Sequence, residues 1–277
     1  MSYSKVPFVL ACLLLGALIV ACQPAGSAET PQVRIAASEY AFDALDSVPA
    51  GWTQFELVNN GTELHHAQLI RLEEGKTIDD VMAALQSDEV PTWAITAGGP
   101  SVAAPGPDNA VSATVNLQPG NYILICFLPD AEGVPHAAKG MVRPLTVSEA
   151  EGESAPAPEP DIELVAKEFA FDLPESLTAG EQTFHLDNQG QQDHEAFVVK
   201  LEEGVTPEQF LAAVEDPSAG PPPGLPAGGF QAIPPGSEGY FTVDMTPGNY
   251  AFICFVGDEE TGAPHFALGM LSEVTVE

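Results

Sequence analysis

Short runs in which every second residue is apolar recur along the chain, as with Phe55 and Leu57, or Val115 and Leu117. A period of two is that of a strand with one face buried. On this pattern strands fall near 33–38, 52–58, 65–71, 111–117, 121–127 and 141–147, then again near 162–167, 182–187, 194–200, 239–245, 249–255 and 270–276. The stretch Thr77 to Gln86 breaks the alternation. Ile78, Val81, Met82 and Leu85 form one helical stripe, Thr77 can cap it, and Asp79 and Asp80 suit its first turn. Thr206 to Val214 repeats this with Pro207 at the first helical position. Gly98 to Pro107 and Pro217 to Gly229 read as surface loops.

The chain aligns with itself at an offset of about 129 residues. Glu39-Tyr-Ala-Phe-Asp43 matches Glu168-Phe-Ala-Phe-Asp172, and Asn59 and Gly61 match Asn188 and Gly190. Pro119-Gly-Asn-Tyr122 matches Pro247-Gly-Asn-Tyr250, and Ile125-Cys-Phe127 matches Ile253-Cys-Phe255. Matches spread over the whole unit mean a duplicated domain. The organisation predicted is a signal segment 1–22, a tether 23–32, a domain 33–147, an acidic proline-bearing linker 148–160 and a second domain 161–277. An extended linker of that length spans about 40 Å, so the domains need not touch. The fold class is all-β: two tandem Greek-key β-sandwiches, each with a short inserted helix.

Composition adds a compartment and a charge. Residues 1–22 carry Lys5, an apolar stretch Val9–Val20 and then Ala21-Cys22. This is a targeting segment too short to span a bilayer with margin. Small residues before a cysteine there resemble the lipobox of bacterial lipoproteins, which implies acylation of Cys22 and an extracytoplasmic protein anchored to a membrane of the cell envelope. The plainer alternative is a secretion signal whose Cys22 is incidental. Of four cysteines, Cys126 and Cys254 remain for the folded part, at equivalent points of the two copies, so a disulfide between them would have to join two cores. The formal charge of −32, from 40 acidic against 8 basic residues, argues against nucleic acid and anionic membrane surfaces and favours a basic protein partner.

The candidate chemistry lies at the end of the strand Tyr122–Phe127. Alternation puts Tyr122, Leu124 and Cys126 on one face. A turn-rich loop follows, then His136 and, five residues on, Met141; Cys254, His265 and Met270 repeat the set. Upstream, after Asn-x-Gly, stand His65 and His194. One thiolate, two imidazoles and a weak thioether hold copper between the geometries that its two oxidation states prefer. A lone Cys, His or Met is ordinarily a core or surface residue. The joint alternative, a sandwich that has lost its metal, must explain four ligand types in chain order, twice.

These residues resemble those of the cupredoxins, the plastocyanin- and azurin-like blue copper domains, over Val33–Val147 and Ile162–Val276. The resemblance implies one copper per domain, held by His65, Cys126, His136 and Met141 in the first and by His194, Cys254, His265 and Met270 in the second. It also makes Tyr122 and Tyr250 tyrosine corners. The chain departs from the family in the Cys-to-His loop, where nine and ten residues intervene. Because closure cost rises slowly with length, such a loop can bulge outward with its ends fixed. His66 and His185 fall on outward parity and read as solvated. A multicopper oxidase cluster needs more histidines than these two, so the expectation is a non-enzymatic one-electron carrier acting with a redox partner protein. Copper capture and delivery without turnover, or a metal-free adhesive lipoprotein, are the rival readings.

Overall fold

The structure is a computed structural model that describes residues 29–86, 91–150, 154–216 and 220–277, with Met1, Gly152 and Ser218. Cys22 and the signal segment lie outside the described residues. The first copy contains β1 (Gln32–Ser38), β2 (Ala41–Asp43), β3 (Ser47–Pro49), β4 (Gly51–Asn59), β5 (Gln68–Leu72), β6 (Ala94–Thr96), β7 (Gly106–Leu117), β8 (Gly120–Ile125) and β9 (Val142–Ser148). The second contains β10 (Ile162–Lys167), β11 (Ala170–Asp172), β12 (Ser176–Leu177), β13 (Gly180–Asn188), β14 (His194–Leu201), β15 (Gly224–Ile233), β16 (Glu238–Met245), β17 (Gly248–Ile253) and β18 (Leu271–Val276).

Each copy is a two-layer sandwich. In the first, β2-β1-β4-β7 faces β3-β9-β8-β5-β6; in the second, β11-β10-β13-β16 faces β12-β18-β17-β14-β15. Alternation along β4 and β8 turns Phe55, Leu57, Tyr122 and Leu124 inward, and all four are buried. Tyr122 closes the expected corner, its hydroxyl donating to the Gln118 carbonyl at 3.0 Å; Tyr250 does the same to Thr246 at 3.1 Å. The inserted helices are α1 (Ile78–Ala84) and α2 (Pro207–Glu215), each with a capping box, Thr77 with Asp80 and Thr206 with Gln209.

The sequence left the two copies free to stand apart; the structure joins them. Strands β7 and β16 pair antiparallel, with Tyr240 opposite Thr114, Phe241 opposite Ala113 and Thr242 opposite Ser112, so the first layers form one eight-stranded sheet. The second layers meet too. Pro100 bridges Phe230, Ser101 N–H donates to the Gly229 carbonyl at 3.4 Å, and Gln231 N–H donates to that of Gly99 at 2.9 Å. The apolar core accordingly runs across the junction, through Phe55 and Leu57 on one side and Phe184, Phe230 and Phe241 on the other.

Two surface-loop expectations are corrected here. Gly98 to Ala104 is buried, because it is the segment that pairs with the second copy. Residues 224–229, expected to be loop, belong to β15. Gly99 and Gly229 lie at this seam, and each lets its segment approach a strand of its own copy. Both have φ in the left-handed half of the map, and a Cβ on either would sit 2.2 Å from the Ala67 carbonyl oxygen or 1.9 Å from that of Ala196.

Candidate metal centres

Three local devices bring the candidate ligands to one end of each sandwich. The first holds His65. Asn59, buried at the end of β4, donates from its side-chain amide to the carbonyls of Glu63 (2.7 Å) and Ala103 (2.9 Å), while its oxygen accepts from Gly61 N–H (2.9 Å). His65 then bridges Ala103. Asn188 repeats this with Gln192, Ile233 and Gly190. The repeated Asn-x-Gly has a steric reason: a Cβ on Gly61 or Gly190 would meet the His65 or His194 ring at 3.1 or 2.5 Å.

The second device is the long Cys-to-His loop. It folds on itself instead of spreading. His136 N–H donates to the Leu128 carbonyl at 2.8 Å and Asp130 N–H to that of Val134 at 3.0 Å, while Asp130 Oδ1 accepts from Glu132 and Val134 N–H. In the second copy His265 N–H donates to Val256, and Asp258 N–H to Ala263. The extra residues are thus a small outward hairpin with a neck fixed at Leu128/His136 or Val256/His265. The predicted outward bulge is present, with His136 and His265 held at its neck.

The third device fixes the remaining residues to one another. Cys126 N–H donates to the Met141 carbonyl (3.2 Å), Met141 N–H to that of His136 (3.0 Å) and Ala137 N–H to that of Cys126 (2.8 Å). Cys254, His265, Met270 and Phe266 repeat these bonds. Met141 and Met270 are fully buried beside the cysteines.

The result is a cluster of donor atoms in each copy. His65 and His136 Nδ1 lie 3.2 Å apart, and Cys126 Sγ lies 3.6 Å from His136 Nδ1. The second copy gives 3.1 Å for His194 and His265, and 3.5 Å for Cys254 and His265. These are the two His/Cys groups with metal-holding geometry among the described residues, and every member is buried. Two imidazole nitrogens bound at about 2.0–2.1 Å to one ion at a near-tetrahedral angle stand about 3.3 Å apart, and a sulfur at about 2.3 Å stands about 3.6 Å from either nitrogen. The donor set therefore fits one ion per copy.

The electrostatics suit neutral imidazoles and a thiolate made by the metal. Burial pulls His65 and His194 down to about 4, so both offer free lone pairs at neutral pH. Burial pushes Cys126 up to about 11 and Cys254 higher still, so ion binding must release the thiol proton. Backbone N–H groups of His66 and Leu128 aim at Cys126, and those of Glu195 and Val256 at Cys254, stabilising the thiolate.

Several residues around the site were not assigned a role from sequence. Tyr40 and Phe169 sit at φ 62 and 57, a backbone region that costs an ordinary side chain about 1–2 kcal/mol. Each ring stands edge-on to a histidine, Tyr40 to His136 and Phe169 to His265, with centroids 5.1 Å apart. The preceding Glu39 and Glu168 accept from Thr62 and Gln191 N–H, tying that turn to the histidine loop. The repeated Glu-aromatic-Ala-Phe-Asp motif was the available signal. His66 corrects an expectation. It is buried, and its Nε2 accepts from Phe127 N–H at 3.0 Å, as Glu195 Oε1 does from Phe255 N–H. His185 is partly exposed between Glu163 (2.7 Å) and Glu238 (2.9 Å).

The sandwich topology and the paired His–Cys–His groups define tandem cupredoxin-like domains with two copper-type sites, one in each. Comparison with solved structures finds three matches of interest. A dithionite-reduced auracyanin from the photosynthetic bacterium Roseiflexus castenholzii is 27% identical over 42% of this chain and 94% of its own, with a TM-score of 0.29. Auracyanin B is 22% identical over 43% and 91%, also at 0.29. A blue copper oxidase from Nitrosomonas europaea is 14% identical over 90% and 86%, at 0.27. No protein-family model and no curated relative matches the chain.

Proposed function

We propose that the protein is a lipid-anchored, extracytoplasmic one-electron carrier with two type 1 copper centres, and not an enzyme. The observation that carries this reading is the convergence, in each copy, of two imidazole Nδ1 atoms and one thiol sulfur in a fully buried pocket. His65, Cys126, His136 and Met141 would hold the first copper, and His194, Cys254, His265 and Met270 the second, each set offering two imidazoles, a thiolate and a weak thioether.

When bound, copper supplies the one-electron chemistry; the protein supplies binding, orientation and a dry site. The Asn59 and Asn188 clamps and the closed hairpin loops hold the donors on a rigid scaffold, so little has to rearrange when the charge of the site changes. The two amides on each sulfur lower the cost of a buried thiolate. A basic redox protein is the partner that the −32 charge would steer. Acylated Cys22 would hold the carrier at the membrane.

The test is to load the mature chain, with Cys22 replaced, with Cu(II). An intense visible thiolate-to-copper band with narrow copper hyperfine splitting is expected. It should fall by about half in Cys126→Ser or Cys254→Ser and vanish in the double variant. Copper binding without the band would overturn electron transfer in favour of capture. Absence of binding would leave a structural lipoprotein.

A further inference from the structure

The two centres share donor types but differ around the second histidine. In the first copy Glu63 Oε2 lies 2.9 Å from His136 Nε2, somewhat off the axis of the ring N–H. The Tyr40 hydroxyl lies 3.4 Å from the same carboxylate, and Lys139 Nζ donates to that hydroxyl at 3.1 Å. The corresponding residues of the second copy are Gln192, Phe169 and Leu268. Gln192 is turned away, donating to Asp258 Oδ1 at 2.9 Å and accepting from Glu259 N–H at 2.8 Å. Neither His136 Nε2 nor His265 Nε2 makes a hydrogen bond of good geometry, but among the described residues His265 has no carboxylate paired with it as Glu63 is with His136. A polar chain reaching the histidine therefore exists in one copy; in the other, two of its members are apolar and the third, Gln192, is turned away.

We infer that Glu63 tunes the first centre through His136. It does so as a positioning residue that shifts this centre toward Cu(II), an effect the second centre lacks. A carboxylate beside the ring nitrogen remote from the donor atoms fixes the tautomer with the proton on Nε2. It also raises the electron density that Nδ1 can give an ion. The more highly charged oxidation state gains more from that. The two centres are then not interchangeable, although their ligand types are the same. His66 and Glu195 are a further difference beside the cysteines, so the inference is confined to the effect of Glu63 and does not order the two potentials. It rests on the copper reading above.

The test uses the full mature chain with Cys22 replaced and Cys254→Ser, so that one centre reports. Glu63→Gln keeps the shape and supplies the residue of the second copy. Redox titration of the thiolate-to-copper band should show the ratio of Cu(II) to Cu(I) affinity falling about tenfold, the lower end of the range for removing such an outer contact. For a one-electron couple that raises the potential by about 59 mV. Glu63→Asp, which keeps the charge, should lie between the two. A band unchanged in position shows that the donors are intact. An unchanged potential in Glu63→Gln with the band present, or equal shifts in Gln and Asp variants, would overturn the inference alone. Failure of the parent chain to develop any band would overturn the copper reading itself.

Discussion

Ala113 and Phe241 occupy the same place in the two copies and pair with each other across the junction. Pro100 and Phe230 do so in the other layer. Each is the self-pairing of a pseudo-two-fold, so the local axis passes through both layers of the molecule. Two equivalent ends related by such an axis point in opposite directions along the strands. His65 bridges Ala103 and His194 pairs with Ile233, three residues on from the axis in opposite senses.

This fixes an expected separation. Six residues of strand at about 3.3 Å and three strand spacings of about 4.8 Å place the two metal centres roughly 20–25 Å apart. Pulsed electron double resonance on the chain loaded with Cu(II) at both sites measures this directly. A distance below about 15 Å would be incompatible with the pairing register. At the expected distance each centre can meet a partner at its own end of the molecule.

Within the second copy, β15 approaches β14 at Gly229 so closely that a side chain has no room. Gly229→Ala places a Cβ against the Ala196 carbonyl and keeps a left-handed φ of 117. Together these should cost about 3 kcal/mol or more. Gly204→Ala is the matched control: its φ is 79, but nothing lies within 4 Å of the added Cβ, so about 1 kcal/mol is expected. Urea unfolding of the two variants side by side checks the contrast. Equal losses would mean that Gly229 is required for its turn alone.

Much of this was legible in the sequence, and what was missed has identifiable causes. Tyr122, Leu124 and Cys126 lie inward as alternation requires, because β8 is regular and central in its sheet. His66 was misplaced because the alternation does not run back to it: β5 starts at Gln68, and in the second copy the register shifts between His194 and Ala196. The junction carries no local signal. β7 and β16 read as half-buried strands whether or not they pair with each other, and Gly98-Gly99 reads as a loop until the opposing chain is in place. The role of Glu63 was equally hidden, since one exposed-looking acid among 40 has no pattern.

His185 provides a pH-dependent surface contact. Burial pulls its pKa down, but hydrogen bonds to Glu163 and Glu238 outweigh this and the net shift is upward. A histidine with a raised folded pKa contributes stability below its ordinary value of 6.5 and loses it as pH rises through the folded value. Both carboxylates are solvent-exposed, so His185→Gln should cost only about 0.5–1 kcal/mol at pH 5.5 in low salt, and less at pH 9 or in 1 M salt. Thermal unfolding at the two pH values tests it, and a larger loss at pH 9 would contradict the assignment.

The buried histidines act with the opposite sign and should dominate the metal-free protein. Burial holds His65 and His194 down to about 4 and His66 to about 3, whereas unfolded chains take up these protons near 6.5. The unfolded state therefore binds more protons throughout the window from about 6.5 to about 4, and stability falls as pH falls. Each histidine contributes a slope of up to about 1.4 kcal/mol per pH unit, so the three together remove at most about 4 kcal/mol between pH 7.5 and 5.5. That is a large share of the roughly 5–15 kcal/mol that ordinarily separates folded from unfolded chains. Copper bound to His65 and His194 opposes the loss, since the ion adds about 2.7 kcal/mol at a free concentration one hundred times its dissociation constant. Urea unfolding at pH 7.5 and 5.5, with and without copper, should show the metal-free midpoint dropping steeply and the loaded one much less. Equal metal-free midpoints at the two pH values would mean that these imidazoles are not held neutral by the fold.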